Sequence, residues 1–232
     1  MTDTIPNYGK HFSLLRAGCS EQWQQYIEHD FVAGLADGSL PEKSFLQYMI
    51  QDYVYLMHYS RAWALGVVKA ECPEEMRLCA ATVDSLINHE LSIHVKTCAA
   101  QGISEAEIYD AKEELETIAY TRYVLDSGLQ GDFLDLVLAL APCAFGYGEI
   151  GLRLKPYAVA GNPYKDWIDI YSGEQYQQAC VDIGHLLDLA IARRVGDAPE
   201  QSPRWQQMQQ RFTTATELEA QFWSMGLRAG RS

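Results

Sequence analysis

The sequence predicts an all-α protein that forms a single-domain helical bundle over residues 1–232. Apolar residues recur at helical spacing along almost the whole chain, few residues are β-branched, and short stretches with Gly, Pro and Asn separate the periodic segments. No low-complexity tract, long linker or internal repeat divides the chain. A chain of 232 residues can bury a sizeable core without disulfides or a structural metal.

Eight helices are predicted in chain order, and their starts and stops carry recognisable signals. Pro41 takes a first-turn position at the start of the second helix, and acidic residues follow Ser104 where the helix dipole favours them. Gly102, Gly128 and Gly196 mark helix ends. The predicted helices cover residues 8–28, 41–70, 74–101, 105–127, 131–155, 163–170, 173–194 and 203–228.

The charge balance excludes several classes of partner. The chain has 18 Lys and Arg against 31 Asp and Glu, a net charge of −13. A duplex nucleic acid or an anionic membrane requires a broad basic face, so we expect neither, and a small neutral or cationic ligand fits better. The N-terminus lacks the pattern of a signal peptide, and the longest apolar run, 136–147, is too short to span a bilayer. We expect a soluble, cytoplasmic protein.

The six cysteines are dispersed and form no CxxC pair, which favours free thiols over disulfides. Most are expected to be small buried hydrophobes, with one candidate for a reactive thiol. They are Cys19, Cys72, Cys79, Cys98, Cys143 and Cys180.

Asp52 lies within the apolar face of the second predicted helix. Residues 45, 48, 49, 52, 55, 56 and 59 share that face at helical spacing. An unpaired buried carboxylate would cost several kcal/mol, so Asp52 must find partners or become neutral. A purely structural Asp, bound to a nearby hydroxyl or to Arg61, is the alternative to a functional one.

Glu219 repeats this pattern on the last helix, where it shares a stripe with Phe212, Phe222 and Gly226. Glu217 falls off the stripe. Two inward carboxylates on different helices can serve as a substrate anchor and as a general acid kept protonated by apolar surroundings. Alternatively, each completes a structural network.

Cys143 lies on the buried face of the fifth helix, directly after Pro142. Proline is expected to interrupt or kink that helix. A fresh helical turn at this point would present free N–H groups that favour a thiolate. A buried cysteine is otherwise usually inert.

Four tyrosines in apolar or turn contexts could form a flat wall for a ring and offer hydroxyls to its nitrogens. Ordinary core packing is the alternative and applies to most of the 14 tyrosines in the chain. The four are Tyr55, Tyr120, Tyr147 and Tyr171.

A metal site is the rival chemistry. Glu90 and His94 are spaced i,i+4, and His185 and Asp188 are spaced i,i+3, so a metal-dependent oxygenase-like bundle using Glu90, His94 and His185 is conceivable. The paired Glu-x-x-His signature of di-iron bundles is absent, and a helix-surface ion pair explains Glu90 and His94 more simply. We therefore predict neither a metal nor a cofactor.

Several separated segments resemble the TenA / thiaminase II family, in order and with compatible spacing over nearly the whole chain. The segments are Phe31 to Pro41 with its continuation Gln51 to Leu56, then Pro142-Cys143, Trp167 to Tyr171, and Glu219 to Trp223. The resemblance implies a heme-oxygenase-like bundle without heme, a homotetramer, and hydrolysis of aminopyrimidines. Members deaminate 4-amino-5-aminomethyl-2-methylpyrimidine to the hydroxymethyl pyrimidine of thiamin salvage, and many also cleave thiamin.

The resemblance also implies roles for individual residues. By position, Cys143 is the nucleophile, Glu219 is the acid that protonates the leaving amine, and Asp52 binds the amino and nitrogen edge of the ring. The implied pocket residues are Tyr55, Tyr120, Tyr147, Tyr171 and Phe222. The alternative in another functional class is a non-catalytic pyrimidine-binding or regulatory protein on the same scaffold.

Overall fold

A computed structural model describes residues 5–230, and every regular element within them is helical, which confirms the all-α class. The α-helices of this part of the chain are α1 Lys10–Gly18, α2 Ser20–Ile27, α3 Asp30–Asp37, α4 Glu42–Lys69, α5 Pro73–Ser85, α6 Leu91–Ala99, α7 Glu105–Tyr109, α8 Leu115–Gln130, α9 Phe133–Leu154, α10 Lys165–Ser172, α11 Glu174–Arg194 and α12 Trp205–Ala229. A π turn, Leu86–Glu90, joins α5 to α6, and 3₁₀ turns occupy Lys155–Tyr157 and Pro199–Gln201.

The single helix predicted over 8–28 is wrong, because the chain leaves helical geometry at Cys19 (φ −132°, ψ 41°). The side-chain amide of Gln209 on α12 donates to the Leu15 carbonyl at 2.9 Å, and the Cys19 N–H turns to Arg16 instead. A distant side chain therefore satisfies a carbonyl that the helix would otherwise use. Sequence periodicity contains no sign of that contact.

Helix α3 was not among the predicted helices, although its caps are recognisable. The Phe31 N–H donates to Nδ1 of His29 at 3.1 Å, so His29 is the N-cap. Gly38 ends the helix in the left-handed region at φ 75°, where glycine is favoured.

The helix predicted over 105–127 is also wrong, because residues 110–114 separate α7 from α8. The buried side chain of Gln51 holds this connection. Its amide donates to the Lys112 carbonyl at 2.9 Å, and its Oε1 accepts from the Glu114 N–H at 3.0 Å and from the Thr117 hydroxyl at 2.6 Å. One amide thus fixes where α8 begins.

The described residues form two compact units. The first comprises residues up to Leu40 and Ala141–Ala220, and the second comprises Pro41–Leu140 and the residues from Gln221. The division falls within α9 and within α12. The organisation as one domain over 1–232 stays a prediction.

The core of the first unit is aromatic and contains a buried ion pair. Trp23 stacks on Phe212 with ring centroids 5.6 Å apart. The Glu149 carboxylate on α9 accepts two hydrogen bonds from Arg16, at 2.7 and 2.9 Å, and one from the Trp23 indole at 3.0 Å. These donors offset the cost of burying a charge that the sequence places in an otherwise apolar run.

The second unit is arranged around α4, which packs against α5, α6, α7 and α8. The predicted inward face of α4 is confirmed, with Tyr48, Asp52, Tyr55 and Tyr59 all buried. The flanks of this face are buried as well, at Gln51 and Tyr53, which lie about 100° to either side of Asp52 on the helix. A helix covered on several sides is the natural centre of a packed unit.

Helix α9 continues through Pro142, so the predicted interruption is wrong, while the other predicted effect of this proline, a kink, stays a prediction. The segment from Phe133 to Tyr157 is long and apolar enough to cross a bilayer, whereas the apolar run 136–147 within it is too short. Within it, 94% of the most apolar 18-residue window is buried in the protein. That burial is typical of the core helix of a soluble protein.

Asp188 on α11 caps the start of α1. Its carboxylate accepts the backbone N–H of Lys10 at 3.1 Å and that of His11 at 3.0 Å, and its Oδ1 lies 2.6 Å from Nδ1 of His11. Burial opposes ionisation, but the hydrogen bonds from His11 and Lys10 hold the pKa of Asp188 below its ordinary value. A lowered pKa stabilises the folded state above the unfolded-state pKa, and this contribution is lost as the pH falls through the folded-state pKa.

We expect Asp188→Asn to lower the free energy of unfolding by about 1 kcal/mol at pH 7, as for a lost helix cap. The difference from wild type should shrink as the pH falls below the unfolded-state pKa near 4 and through the lower folded-state pKa, because the carboxylate is then protonated in both states. Urea unfolding followed by circular dichroism at pH 7 and pH 3 measures both values. Asp182→Asn, an exposed carboxylate on the same helix, is the matched control, and an equal loss in both variants would contradict the cap assignment.

Candidate active site

The Asp52 carboxylate is buried, at 4% exposure, yet it is not isolated. The Tyr48 hydroxyl donates to its Oδ2 at 3.0 Å, and Nε2 of His94 lies 2.8 Å from the same oxygen. We call Tyr48, Asp52 and His94 the Asp52 cluster. The predicted hydroxyl partner is confirmed, whereas Arg61 is exposed and its guanidinium lies 3.4 Å from Nδ1 of His58.

The contact of His94 with Asp52 was not predicted from the sequence, which paired His94 with Glu90. The His94 side chain is 1% exposed, and its Nδ1 lies 3.0 Å from the backbone carbonyl of Glu90. Burial disfavours the charged imidazole, but the hydrogen bond and negative charge of Asp52 raise the pKa of His94 above its ordinary value. Helical spacing could have predicted that His94 is buried, because it shares one face of α6 with Leu91 and Cys98, the other buried residues of this helix.

The Glu90 and His94 pair does not form the helix-surface ion pair or the metal site considered from the sequence. Glu90 meets His94 through its backbone carbonyl, and Asp188 is engaged in capping α1. In residues 5–230, no group of three or more His, Cys, Asp or Glu side chains is arranged to hold a metal ion.

Aromatic rings of the second unit lie next to the Asp52 cluster. The Tyr55 ring is 4.8 Å from that of Tyr120 and 5.8 Å from that of Phe222, measured between centroids. Phe222 meets Tyr48 edge-on at 6.3 Å. Asp52, Tyr55, Tyr120 and Phe222, four of the predicted substrate-binding residues, are therefore brought together within one unit.

The first unit holds the other predicted residues. Cys143 is 8% exposed and lies one helical turn before Tyr147 on α9. The Tyr147 and Tyr171 rings are 5.0 Å apart, and Trp167 lies 4.5 Å from Tyr171. Gly151 permits this approach of α10 to α9, because a Cβ there would lie 2.4 Å from the backbone carbon of Tyr171.

The surroundings of Cys143 differ from those expected from the sequence. Because α9 is continuous, the thiol lies inside the helix and not at a fresh N-terminus, so helix-dipole activation at a new turn is wrong. Pro142 has no N–H to give to the Leu138 carbonyl one turn earlier. The Ala144 carbonyl accepts from the Cys180 thiol at 3.2 Å and from the Tyr176 hydroxyl at 3.4 Å.

All six cysteines are free thiols, as predicted. Burial raises the pKa of Cys19 to about 11 and that of Cys79 to about 12, and it also raises the pKa of Cys98. Those three thiols are therefore protonated at neutral pH and are poor nucleophiles.

Glu219 is 2% exposed on α12, whereas Glu217, two residues earlier, is exposed. The predicted inward direction of Glu219 is thus confirmed. A carboxyl group in such surroundings has the setting that general acids use.

A family model described as the TENA/THI-4/PQQC family matches residues 17–229. An aminopyrimidine aminohydrolase of Halalkalibacterium halodurans is 31% identical over 205 residues, which cover 88% of this chain and 89% of that protein. The aminopyrimidine aminohydrolase of Helicobacter pylori is 32% identical over 211 residues, with coverages of 89% and 94%.

Solved structures agree in fold. The crystal structure of a TenA family transcription regulator from a Silicibacter species has a TM-score of 0.92 and 51% sequence identity, and the match covers 95% of this chain and 97% of that one. Since the family model spans most of the chain and relatives above 30% identity are matched over nearly their full length, the chain belongs to the TENA/THI-4/PQQC family.

Proposed function

We propose that this hydrolase converts 4-amino-5-aminomethyl-2-methylpyrimidine and water to 4-amino-5-hydroxymethyl-2-methylpyrimidine and ammonia, a step of thiamin salvage. The observation that carries the proposal is a buried carboxylate, Asp52, beside a group of aromatic rings. The names of the Halalkalibacterium and Helicobacter relatives support the same substrate class.

Asp52 is assigned to the amino and nitrogen edge of the pyrimidine. A carboxylate accepts hydrogen bonds from the exocyclic amino group and favours a protonated, more electrophilic ring. The aromatic side chains supply flat surfaces for stacking and hydroxyls for the ring nitrogens, which positions the ring for reaction. They are Tyr55, Tyr120, Tyr147, Tyr171 and Phe222.

Cys143 is assigned as the nucleophile and Glu219 as the general acid. The thiolate forms a C–S bond to an electron-poor ring carbon, and the exocyclic C–N bond then breaks as Glu219 gives a proton to the leaving amine. Water adds to the exocyclic methylene, its proton returns to Glu219, and the C–S bond breaks to restore the thiolate and the aromatic ring. Covalent catalysis divides one difficult displacement into easier steps.

Further features of the family resemblance belong to the same proposal. They are a homotetramer in the cytoplasm, a heme-oxygenase-like bundle without heme or another cofactor, and one domain over residues 1–232. Hydrolysis of thiamin to the same pyrimidine and a thiazole alcohol is proposed as a second activity.

A non-catalytic binding or regulatory protein is the alternative, and the name of the Silicibacter relative favours it. The net charge of −13 opposes direct binding to DNA. A pure binder also needs neither a nucleophile nor an acid. Tight calorimetric binding of the aminomethylpyrimidine with no ammonia after long incubation would support the alternative.

Cys143→Ser and Cys143→Ala are each expected to lower ammonia release by about 10³-fold or more, because the covalent step is lost. Circular dichroism should show an unchanged fold. Cys19→Ala is the matched control, since the Cys19 thiol has a pKa of about 11 and should not act as a nucleophile. Undiminished turnover by both Cys143 variants would remove the nucleophile assignment.

Glu219→Gln is expected to lower kcat by about 10²-fold, the usual contribution of a general acid. The loss should be smaller for substrates whose leaving group needs no proton. Glu217→Gln, on the exposed side of the same helix, should retain wild-type kcat. Equal rates for the two variants would contradict the role of Glu219.

The preferred leaving group is measured by the ratio of kcat/KM for the aminomethylpyrimidine to kcat/KM for thiamin, since this ratio is the specificity. We expect the ratio to exceed one because the proposed primary reaction releases ammonia. A ratio below one would make thiamin the preferred substrate.

A further inference from the structure

We propose that His94 is a positioning residue for the reaction: it holds the Asp52 carboxylate through Oδ2 and leaves Oδ1 for the amino edge of the pyrimidine. The inference rests on the proposed function, because it takes Asp52 as the group that binds the ring. It adds a residue to which neither the family resemblance nor the relatives assign a role.

The hydrogen bonds at Asp52 are asymmetric. Tyr48 donates to Oδ2 at 3.0 Å, and His94 contacts the same oxygen at 2.8 Å. Within the described part of the chain, no hydrogen bond reaches Oδ1. Two partners on one oxygen fix the plane of the carboxylate, and the second oxygen keeps its accepting capacity for a ligand.

The contacts of His94 also determine how many protons the pair holds. The Glu90 carbonyl can only accept, so Nδ1 of His94 must carry a hydrogen to donate to it at 3.0 Å. The 2.8 Å contact between Nε2 and Oδ2 then contains one proton, either on the imidazole or on the carboxyl group. The raised pKa of His94 favours the first arrangement, an imidazolium beside a carboxylate.

Two ionisable groups act on His94. Asp52 on α4 and Glu90 at the end of the π turn act on His94, and both stabilise its positive charge. Tyr48 donates to Asp52 from the preceding turn of α4. A cation in contact with Asp52 allows the carboxylate to stay charged while it is buried.

The π turn Leu86–Glu90 supports the assignment, because it brings His94 to the side of α6 that meets α4. A π turn inserts one residue into an α-helix, which rotates the following residues by about 100° relative to an uninterrupted helix. Both α5 and α6 pack on α4. The inserted residue therefore turns α6 relative to α5, and His94 faces Asp52 while both helices pack on α4.

The test compares His94→Gln with His94→Leu in the full-length protein, using 4-amino-5-aminomethyl-2-methylpyrimidine. Glutamine can still donate to Oδ2 but carries no charge, whereas leucine can do neither. We expect His94→Leu to raise KM by about tenfold or more, the size expected for one lost hydrogen bond to a charged group. The change in kcat should be smaller, because His94→Leu keeps the Asp52 carboxylate that favours the protonated ring.

The pH profile separates charge from orientation. Both variants should change the pH dependence of kcat/KM, because each removes the imidazolium whose pKa is raised beside Asp52. At neutral pH, His94→Gln should recover KM to within about threefold of wild type, since the donor to Oδ2 is retained. Nitrogen-15 NMR of the wild-type imidazole should show hydrogens on both ring nitrogens of His94 at neutral pH.

His11→Gln is the matched control. His11 is the other buried histidine in contact with a carboxylate, at 2.6 Å from Asp188, and it has no proposed role in the reaction. We expect this variant to lower the melting temperature and to keep the wild-type KM and pH profile. If both His94 variants also lower the melting temperature but keep the wild-type KM and pH profile, His94 has only a structural role and the inference is overturned.

Failure of the proposed function has a different signature. A wild-type protein that neither binds nor hydrolyses the aminomethylpyrimidine overturns the proposed function, and with it the ligand part of this inference. The NMR measurement needs no substrate, and an unprotonated Nε2 on His94 would overturn the imidazolium–carboxylate pair whatever the activity.

Discussion

The second unit depends on one constraint: a carboxylate buried in the middle of its central helix must be given hydrogen bonds and a compensating charge. Asp52 receives both, from the Tyr48 hydroxyl one turn earlier and from His94 on α6. A π turn precedes α6, and His94 on this helix faces Asp52. The same α4 carries Gln51, which fixes the start of α8, the helix that presents Tyr120 to Tyr55. Charge compensation and ring placement are therefore properties of a single helix.

The first unit also contains a buried carboxylate, and there an arginine supplies the compensating charge. Glu149 is buried against Arg16 and the Trp23 indole, which ties α1 and α2 to α9. On that helix, Cys143 and Tyr147 lie on consecutive turns, and Gly151 admits the backbone of α10. Both oxygens of Glu149 accept hydrogen bonds, whereas the hydrogen bonds of Asp52 reach only Oδ2 and leave Oδ1 open. This difference in saturation distinguishes a structural buried carboxylate from one suited to a ligand.

Much of the candidate site could be predicted from residue spacing. The stripes on α4 and α12 placed Asp52 and Glu219 inside, and both are buried. Their inward positions allowed a substrate anchor and a general acid, whereas the role of each residue came from the family resemblance. The match over residues 17–229 shows the family. From the sequence, His94 was considered as a metal ligand or as the partner of Glu90 in a helix-surface ion pair, because a carboxylate and an imidazole spaced i,i+4 on one helix are compatible with both. Spacing does not show that the imidazole of His94 contacts the backbone carbonyl of Glu90 and not its carboxylate.

The sequence by itself determined the all-α class, most helix spans and the inward direction of the two acids, because these follow from periodic burial within single helices. The tertiary structure alone decided where helices break and which partners the buried charges take. Gln209 ends α1 from a position 194 residues away, Gln51 separates α7 from α8, and α9 continues through Pro142 although proline opposes the interior of a helix. Local propensity describes a residue and its neighbours along the chain, whereas a buried hydrogen bond is satisfied by whichever residue the fold brings beside it.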